Sequence, residues 1–263
     1  MSLLVLGSAK ASPGVTTTVL ALAATWPADR HVQIIEADPD GGVLAARQGV
    51  ASEPGLSTLA VSSRRSLAPG DLAPHLQSPA GSDIRLLVAP PAAEQARRSL
   101  GLAGTPLAAA VTRLADTDTI VDAGRLRPDS EAMPLVESAD AVLFVARPRL
   151  DELQQLPARL RALRPTLARV GLLLIGDKPY PPAEVAVALD AEVIAVIADD
   201  RRAAEAFGVG GTAHLGRSPL LRSVRNAGEA IRAWLPSNEP VGSSVEVSIP
   251  DLAPSSAAEK GPK

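Results

Sequence analysis

The sequence predicts an α/β protein with a mainly parallel sheet of seven to eight strands and helices on both faces. Three observations carry this. Short, near-continuous apolar runs recur along the chain, and most are separated by longer segments rich in Ala, Leu and Arg. Strands apolar on both sides belong in a sheet covered on both faces, and parallel neighbours need a crossover segment between them. The alternation also runs unbroken to about residue 235 of 263, the length of one large domain.

The elements follow in order. Ser2–Gly7 reads as the first strand and Thr16–Thr25 as the first helix. Further strands are expected at His31–Glu36, Ile84–Val88, Thr119–Asp122, Ala141–Val145, Val170–Ile175 and Glu192–Val196. Helices are expected near 94–100, 105–115, 151–165, 182–189, 201–207 and 219–235. Residues 51–83 are less regular and suggest a short helix, Leu56–Arg65, followed by a surface loop. The segment 236–263 is rich in Pro and Ser without an aromatic residue, and reads as a disordered tail. Within it Val245–Leu252 alternates briefly, a pattern that could pair with a partner's sheet edge.

Composition narrows the function. The absence of cysteine excludes disulfides, Fe–S clusters and thiolate zinc sites, and three scattered histidines argue against a His-rich metal site. A net charge of −3 gives no wholesale attraction to nucleic acid. No apolar run reaches the length of a membrane span, and Met1–Gly7 lacks a basic leader, so a cytoplasmic protein is expected. Of 26 basic residues only four are lysines: Lys10, Lys178, Lys260 and Lys263. The chain otherwise writes positive charge as arginine, and the two are not interchangeable at a tight site.

The informative stretch runs from Gly7 to Thr18, GSAKASPGVTTT. It lies between a strand and a helix, where backbone N–H groups and a helix N-terminus can cradle phosphate. Gly14 permits close backbone approach, and Thr16 is placed to give its hydroxyl to Mg²⁺. The pattern G-x-x-x-x-G-K-[ST] fails at two places, with Ala9 for the first glycine and Val15 for the lysine.

The whole segment resembles the deviant Walker A of the MinD/ParA ATPases, K-G-G-x-G-K-[ST]-[ST], here Lys10-Ala11-Ser12-Pro13-Gly14-Val15-Thr16-Thr17. Other motifs follow in the family's order. Glu36-Ala-Asp38-Pro-Asp40-Gly-Gly42 is similar to its D-x-D-P-x-G-N segment. Val121-Asp122 ends a strand like its Walker B, and Ser138–Pro148 resembles the strand and loop that follow. The resemblance spans about residues 1–235 and implies a P-loop NTPase fold binding ATP and Mg²⁺. It implies that Lys10 reaches across a homodimer to the partner's phosphates and that Asp38 orients the attacking water. Glu36 matches the first acid of its motif. Ala11 through Thr17 would form the phosphate loop, and Thr16 with Asp122 would organise Mg²⁺. Val15 is the serious departure, because an isopropyl group cannot offset phosphate charge; Lys10 in trans or an arginine elsewhere would have to compensate.

On the base side the resemblance points to Asp177, Lys178 and Asp199. The Asp177 carboxylate only accepts hydrogen bonds, so it could take an adenine amino group or the N1–H and N2–H of guanine. Arg217, Arg222, Arg225 and Arg232 surround the last helix and could contact DNA phosphates without sequence preference; a solvated face is the plain alternative. The tail offers no cationic amphipathic helix, which disfavours direct membrane insertion. The segments VDAGR and ARPRLDEL look like the CpaE/TadZ branch, which localises pilus machinery. Two readings stand: a dimeric, nucleotide-dependent spatial switch with weak ATP hydrolysis and a partner in a positioning or secretion machinery, or a pseudo-ATPase scaffold that lost hydrolysis with the lysine. A small-molecule enzyme has no nucleophile–base pair to support it.

Overall fold

The computed structural model describes residues 2–10, 13–27, 29–63, 66–167, 169–208 and 218–235. The chain runs β1 (Leu3–Ser8), α1 (Val15–Ala24), β2 (His31–Glu36), α2 (Leu44–Gln48), α3 (Leu56–Ser62), β3 (Arg85–Leu87) and α4 (Ala93–Val111). It continues with β4 (Thr117–Arg125), α5 (Met133–Glu137), β5 (Ala141–Ala146), α6 (Leu150–Leu153), α7 (Leu156–Leu163) and β6 (Val170–Ile175). It closes with α8 (Pro182–Leu189), β7 (Val193–Ile197), α9 (Arg201–Gly208) and α10 (Pro219–Trp234). The seven strands form one sheet in the order β3-β2-β4-β1-β5-β6-β7, every neighbouring pair parallel.

Side-chain alternation divides the core into two layers. Leu3 and Val5 of β1 face the side of Phe144, Leu107 and Leu160, against α3 to α8. Leu4 and Leu6 face the side of Leu143, Val19 and Val224, against α1, α2, α9 and α10. Both faces are therefore apolar, which is why the strands read as continuous apolar runs. At the amino end of β4, buried Asp118 ties the start of β1 to the connection after α1. It accepts hydrogen bonds from the Ser2 N–H, the Trp26 indole and both ends of the Arg30 guanidinium fork, at 2.8 to 3.2 Å.

Two expectations need correction. The predicted helices at 94–100 and 105–115 are one helix, α4. Gly101, Gly104 and Pro106 are poor helix formers, but the buried stripe Ala96, Leu100, Ala103, Leu107 and Val111 runs past them without interruption. Packing outweighs propensity here. Gly104 is needed for contact: a Cβ there would press on the Glu131 carbonyl at 3.3 Å and on Pro134. The single helix predicted for 151–165 is instead α6, α7 and a 3-10 turn at Arg164–Thr166. Pro157 in the first turn of α7 lacks the N–H that a continuous helix requires, so a new helix starts there. The tail 236–263 lies outside the described residues, as do Arg64 and Arg65. Among the described residues no helix is long and apolar enough to cross a membrane.

Replacing Asp118 by Ala leaves a guanidinium, an indole N–H and a backbone N–H short of their acceptor. The variant should lose about 2–4 kcal/mol of stability, read as a lower midpoint in urea unfolding.

Candidate functional site

From β1 the chain crosses towards β2, whereas from β5 it crosses the other way towards β6. β1 and β5 are therefore neighbours whose connections diverge, and the crevice beyond their carboxyl ends is where open α/β sheets bind ligands. A cleft of about 920 Å³ lies at this place. The loop after β1 and the first turn of α1 form one wall, from Pro13 to Thr18. The ends of β2 and β4 contribute Asp38, Asp40, Gly124 and Arg125, while the connections after β5 and β7 contribute Arg147 and Asp199–Arg201.

The phosphate loop has the geometry a ligand needs. Gly14 adopts φ 108°, a left-handed conformation that side chains rarely take, and it caps α1 without any side-chain hydrogen bond. Among the described residues, a Cβ on Gly14 would meet nothing within 4 Å. Thr16 and Thr17 line the cleft, and Thr16 lies close enough to the buried Asp122 carboxyl to oppose the rise of its pKa. Asp122 also accepts the Gly124 N–H at 3.0 Å. Val15 is 6% exposed and belongs to the apolar layer with Leu6, Val19 and Leu44, while one edge meets the cleft.

The acids are held away from their ordinary state. Burial raises the Asp38 carboxyl to about 6, with the charges of Asp122 and Asp40 adding to the rise; the Asp40 N–H and Arg125 oppose it. Burial raises Glu36 to about 7, and Asp122, its register neighbour on β4, adds to this. Burial raises Asp122 too, against the pull of Thr16, the Gly124 N–H and Arg47. Glu36 does not open into the cleft. Its carboxylate accepts the N–H groups of Val43, Leu44 and Ala89 at 2.6 to 2.9 Å, joining the end of β2 to the start of α2 and the end of β3.

Of the residues named from the sequence, Pro13, Gly14, Val15, Thr16, Thr17 and Asp38 line this cleft, while Asp122 is buried at its base and does not open into it. Ala11 and Ser12 lie outside the described residues. Lys10 does not line this cleft. It is exposed, and its ammonium is 2.9 Å from the Asp151 carboxylate at the start of α6. Asp177 and Lys178 line an adjoining cleft with Tyr180 and Asp151. Asp199, ion-paired to Arg147, forms the wall between the two. Arg222 and Arg225 are exposed on α10, Arg232 faces Asp29 at 3.4 Å, and Arg217 lies outside the described residues. Sequence reasoning missed Arg47 of α2, which lines the cleft and donates to the Thr17 hydroxyl at 3.2 Å. No motif marks it. The scarcity of lysine in an arginine-rich chain was the one available signal.

No family model matches the sequence, and no curated protein matches it either. Solved structures do. A ParA family ATPase from Chlorobium tepidum superposes with a TM-score of 0.71 at 19% identity, over 86% of this chain and 97% of that one. The cell division ATPase MinD of Pyrococcus furiosus gives 0.69 at 20% identity, over 89% and 100%. McdA of Cyanothece, solved as an ATP complex, gives 0.70 at 20%, over 88% and 96%. The chain has the ParA/MinD fold. Its seven-stranded parallel sheet and the place of its cleft agree with what the sequence resemblance implied. Identities this low speak for the fold alone.

Residues of the ParA/MinD-fold cleft also fit a Mg²⁺–nucleotide chemically. Among the described residues no side chain caps the helix N-terminus and none fills the space over Gly14, and the Thr16 hydroxyl stands near a buried carboxyl. The Arg125 Nε is buried without a partner. Among the described residues no group of three or more His, Asp or Glu could hold a metal alone. That suits Mg²⁺, which takes few protein ligands and shares phosphate oxygens and water.

The raised acids set a pH dependence of stability. A carboxyl with a higher pKa folded than unfolded stabilises fully below its unfolded value, and that contribution is lost as pH rises through the folded one. For Asp38 the window is from 3.8 to about 6, and for Glu36 from 4.5 to about 7. His75, pushed down by partial burial, opposes the trend weakly. The ligand-free protein should melt about 5 °C higher at pH 5 than at pH 8, and Asp38→Asn should reduce the difference without removing it in differential scanning calorimetry, since Glu36 still titrates in that range.

Proposed function

We propose that this protein binds ATP with Mg²⁺ in the cleft and belongs with the ParA/MinD ATPases as a dimeric, nucleotide-dependent positioning or partitioning protein. The observation that carries the reading is the convergence of the Gly14 turn, Thr16 and Asp38 on one strand-end cleft, with the Asp122 carboxyl buried beside Thr16. In this reading the first-turn N–H groups of α1 hold phosphate, and Thr16 and Asp122 hold Mg²⁺, which neutralises phosphate charge when bound. Asp38 accepts a hydrogen bond from water and orients it. Positioning and electrostatics supply most of such catalysis.

Lys10 would serve from the face that carries it, which is exposed, after release from Asp151. An exposed ion pair of this kind holds only weakly, so a partner's phosphates could displace it. The adjoining cleft with Asp177 and Lys178 is the place proposed for the base. The likeness of VDAGR and ARPRLDEL to the CpaE/TadZ branch supports a cargo in pilus or secretion machinery. Non-specific DNA contact through Arg222 and Arg225 is the alternative partner. Residues 1–235 would form the nucleotide-binding unit, followed by the Pro- and Ser-rich segment 236–263.

The second reading, a pseudo-ATPase scaffold, is favoured by one observation: Val15 is turned into the apolar layer and offers no charge. The two readings separate experimentally. Binding of a fluorescent ATP analogue with Mg²⁺, competed by ATP, ADP and GTP, is read beside mass from light scattering. The switch predicts ATP-selective binding with a doubling of mass; the scaffold predicts no turnover. If the protein hydrolyses ATP, Asp38→Ala should cut turnover about 100-fold or more while changing ATP affinity less than about threefold. Because Asp38 must be ionised to accept from water, wild-type kcat/KM should fall as pH drops through about 6.

A further inference from the structure

The cleft lacks the lysine that normally offsets phosphate charge, yet it is not short of cations. Four arginines line it: Arg47, Arg125, Arg147 and Arg201. They are not equivalent. Arg147 is committed to the Asp199 carboxylate, and Arg201 is exposed at the start of α9. Arg125 lies by Asp38, at the end of β4. Arg47 alone among them is bonded to the phosphate-loop helix, through the Thr17 hydroxyl, and its charge also reaches Asp122. It therefore stands beside the first turn of α1, where Val15 provides only an isopropyl group.

Arg47 is also held in place. It sits in the last turn of α2, whose first N–H groups bind the Glu36 carboxylate, and Gln48 beside it donates to the Phe207 carbonyl at 3.3 Å on α9. A guanidinium on a short, doubly anchored helix loses little freedom when it binds an anion. Its single hydrogen bond to a neutral hydroxyl leaves four N–H donors for a ligand.

We propose that Arg47 supplies, from α2, the positive charge at the β- and γ-phosphates that the missing P-loop lysine would have supplied from α1. The inference rests on the nucleotide reading above and adds to it a residue outside every motif of the sequence. It makes Arg47 a phosphate-binding residue whose removal weakens triphosphate binding and leaves the monophosphate untouched.

The test is equilibrium competition against a fluorescent ATP analogue with Mg²⁺, using ATP, ADP and AMP on wild type, Arg47→Ala, Arg47→Lys and Arg125→Ala, each checked for an unchanged melting transition. Arg47→Ala should weaken ATP about tenfold or more and AMP less than about twofold, since a charge-assisted hydrogen bond to phosphate is being removed. Arg47→Lys should recover most of the loss. Adding Val15→Lys to Arg47→Ala should also recover it if that buried site tolerates the change; the alanine and lysine pair decides the matter if it does not. Unchanged ATP affinity in Arg47→Ala, equal losses for ATP and AMP, or a loss confined to Arg125→Ala would overturn the inference while leaving nucleotide binding standing. Failure of the wild type to bind any of the three at millimolar concentration would remove both.

Discussion

The carboxyl half of the site hangs on the buried carboxylate of Glu36. It lies at the end of β2, 1% exposed, and accepts three backbone N–H groups from two different segments. Burying such a group costs several kcal/mol unless donors surround it, and these donors come from the start of α2 and from Ala89, two residues past β3. The packing is tight enough that residue 42 has no room for a side chain. A Cβ on Gly42 would lie 2.6 Å from the Glu36 carboxylate and would overlap the Ala89 carbonyl. One residue earlier, Gly41 takes φ 109° against the Pro91 carbonyl. The paired glycines are thus the steric condition for joining β2, α2 and β3, and α2 in turn carries Arg47 to the cleft.

The charge pattern of the cleft follows from this frame. Glu36, Asp38 and Asp122 crowd the ends of two adjacent strands, where burial and mutual repulsion make ionisation costly. Four guanidiniums come from elements remote in sequence: α2, the end of β4, the connection after β5 and the start of α9. A site arranged this way suits a ligand that brings both anionic oxygens and a divalent cation. Val15 changes the source of positive charge within the cleft without changing that balance.

Much of the fold was legible because both faces of the sheet are buried. β2, β6 and α8 fall where the sequence places them, since their apolar runs end abruptly in polar or turn residues. α4 was misread because Gly101, Gly104 and Pro106 have poor helix propensity, and the partner that rewards Gly104 sits by α5, invisible locally. The site divides in the same way. Gly14, Thr16, Asp38 and Asp122 were legible because each ends or follows a strand within a recognisable local pattern. The Lys10–Asp151 pair, the Arg147–Asp199 wall and the Arg47–Thr17 bond join residues far apart in sequence, and only the folded chain shows them.

Gly124 carries a further consequence. It holds φ 55° at the end of β4, donates to Asp122 and lies so close to Asp38 that a Cβ there would overlap the carboxyl group. The Asp38 carboxylate, two residues past the end of β2, is therefore aimed by an absence on another strand. A single methyl group at residue 124 would act as a wedge, displacing this acid without altering any residue of the loop before α1. Under the proposed function the cleft would then keep a nucleotide and lose its chemistry, so the division between a timer and a latch would rest on one hydrogen atom in place of a side chain.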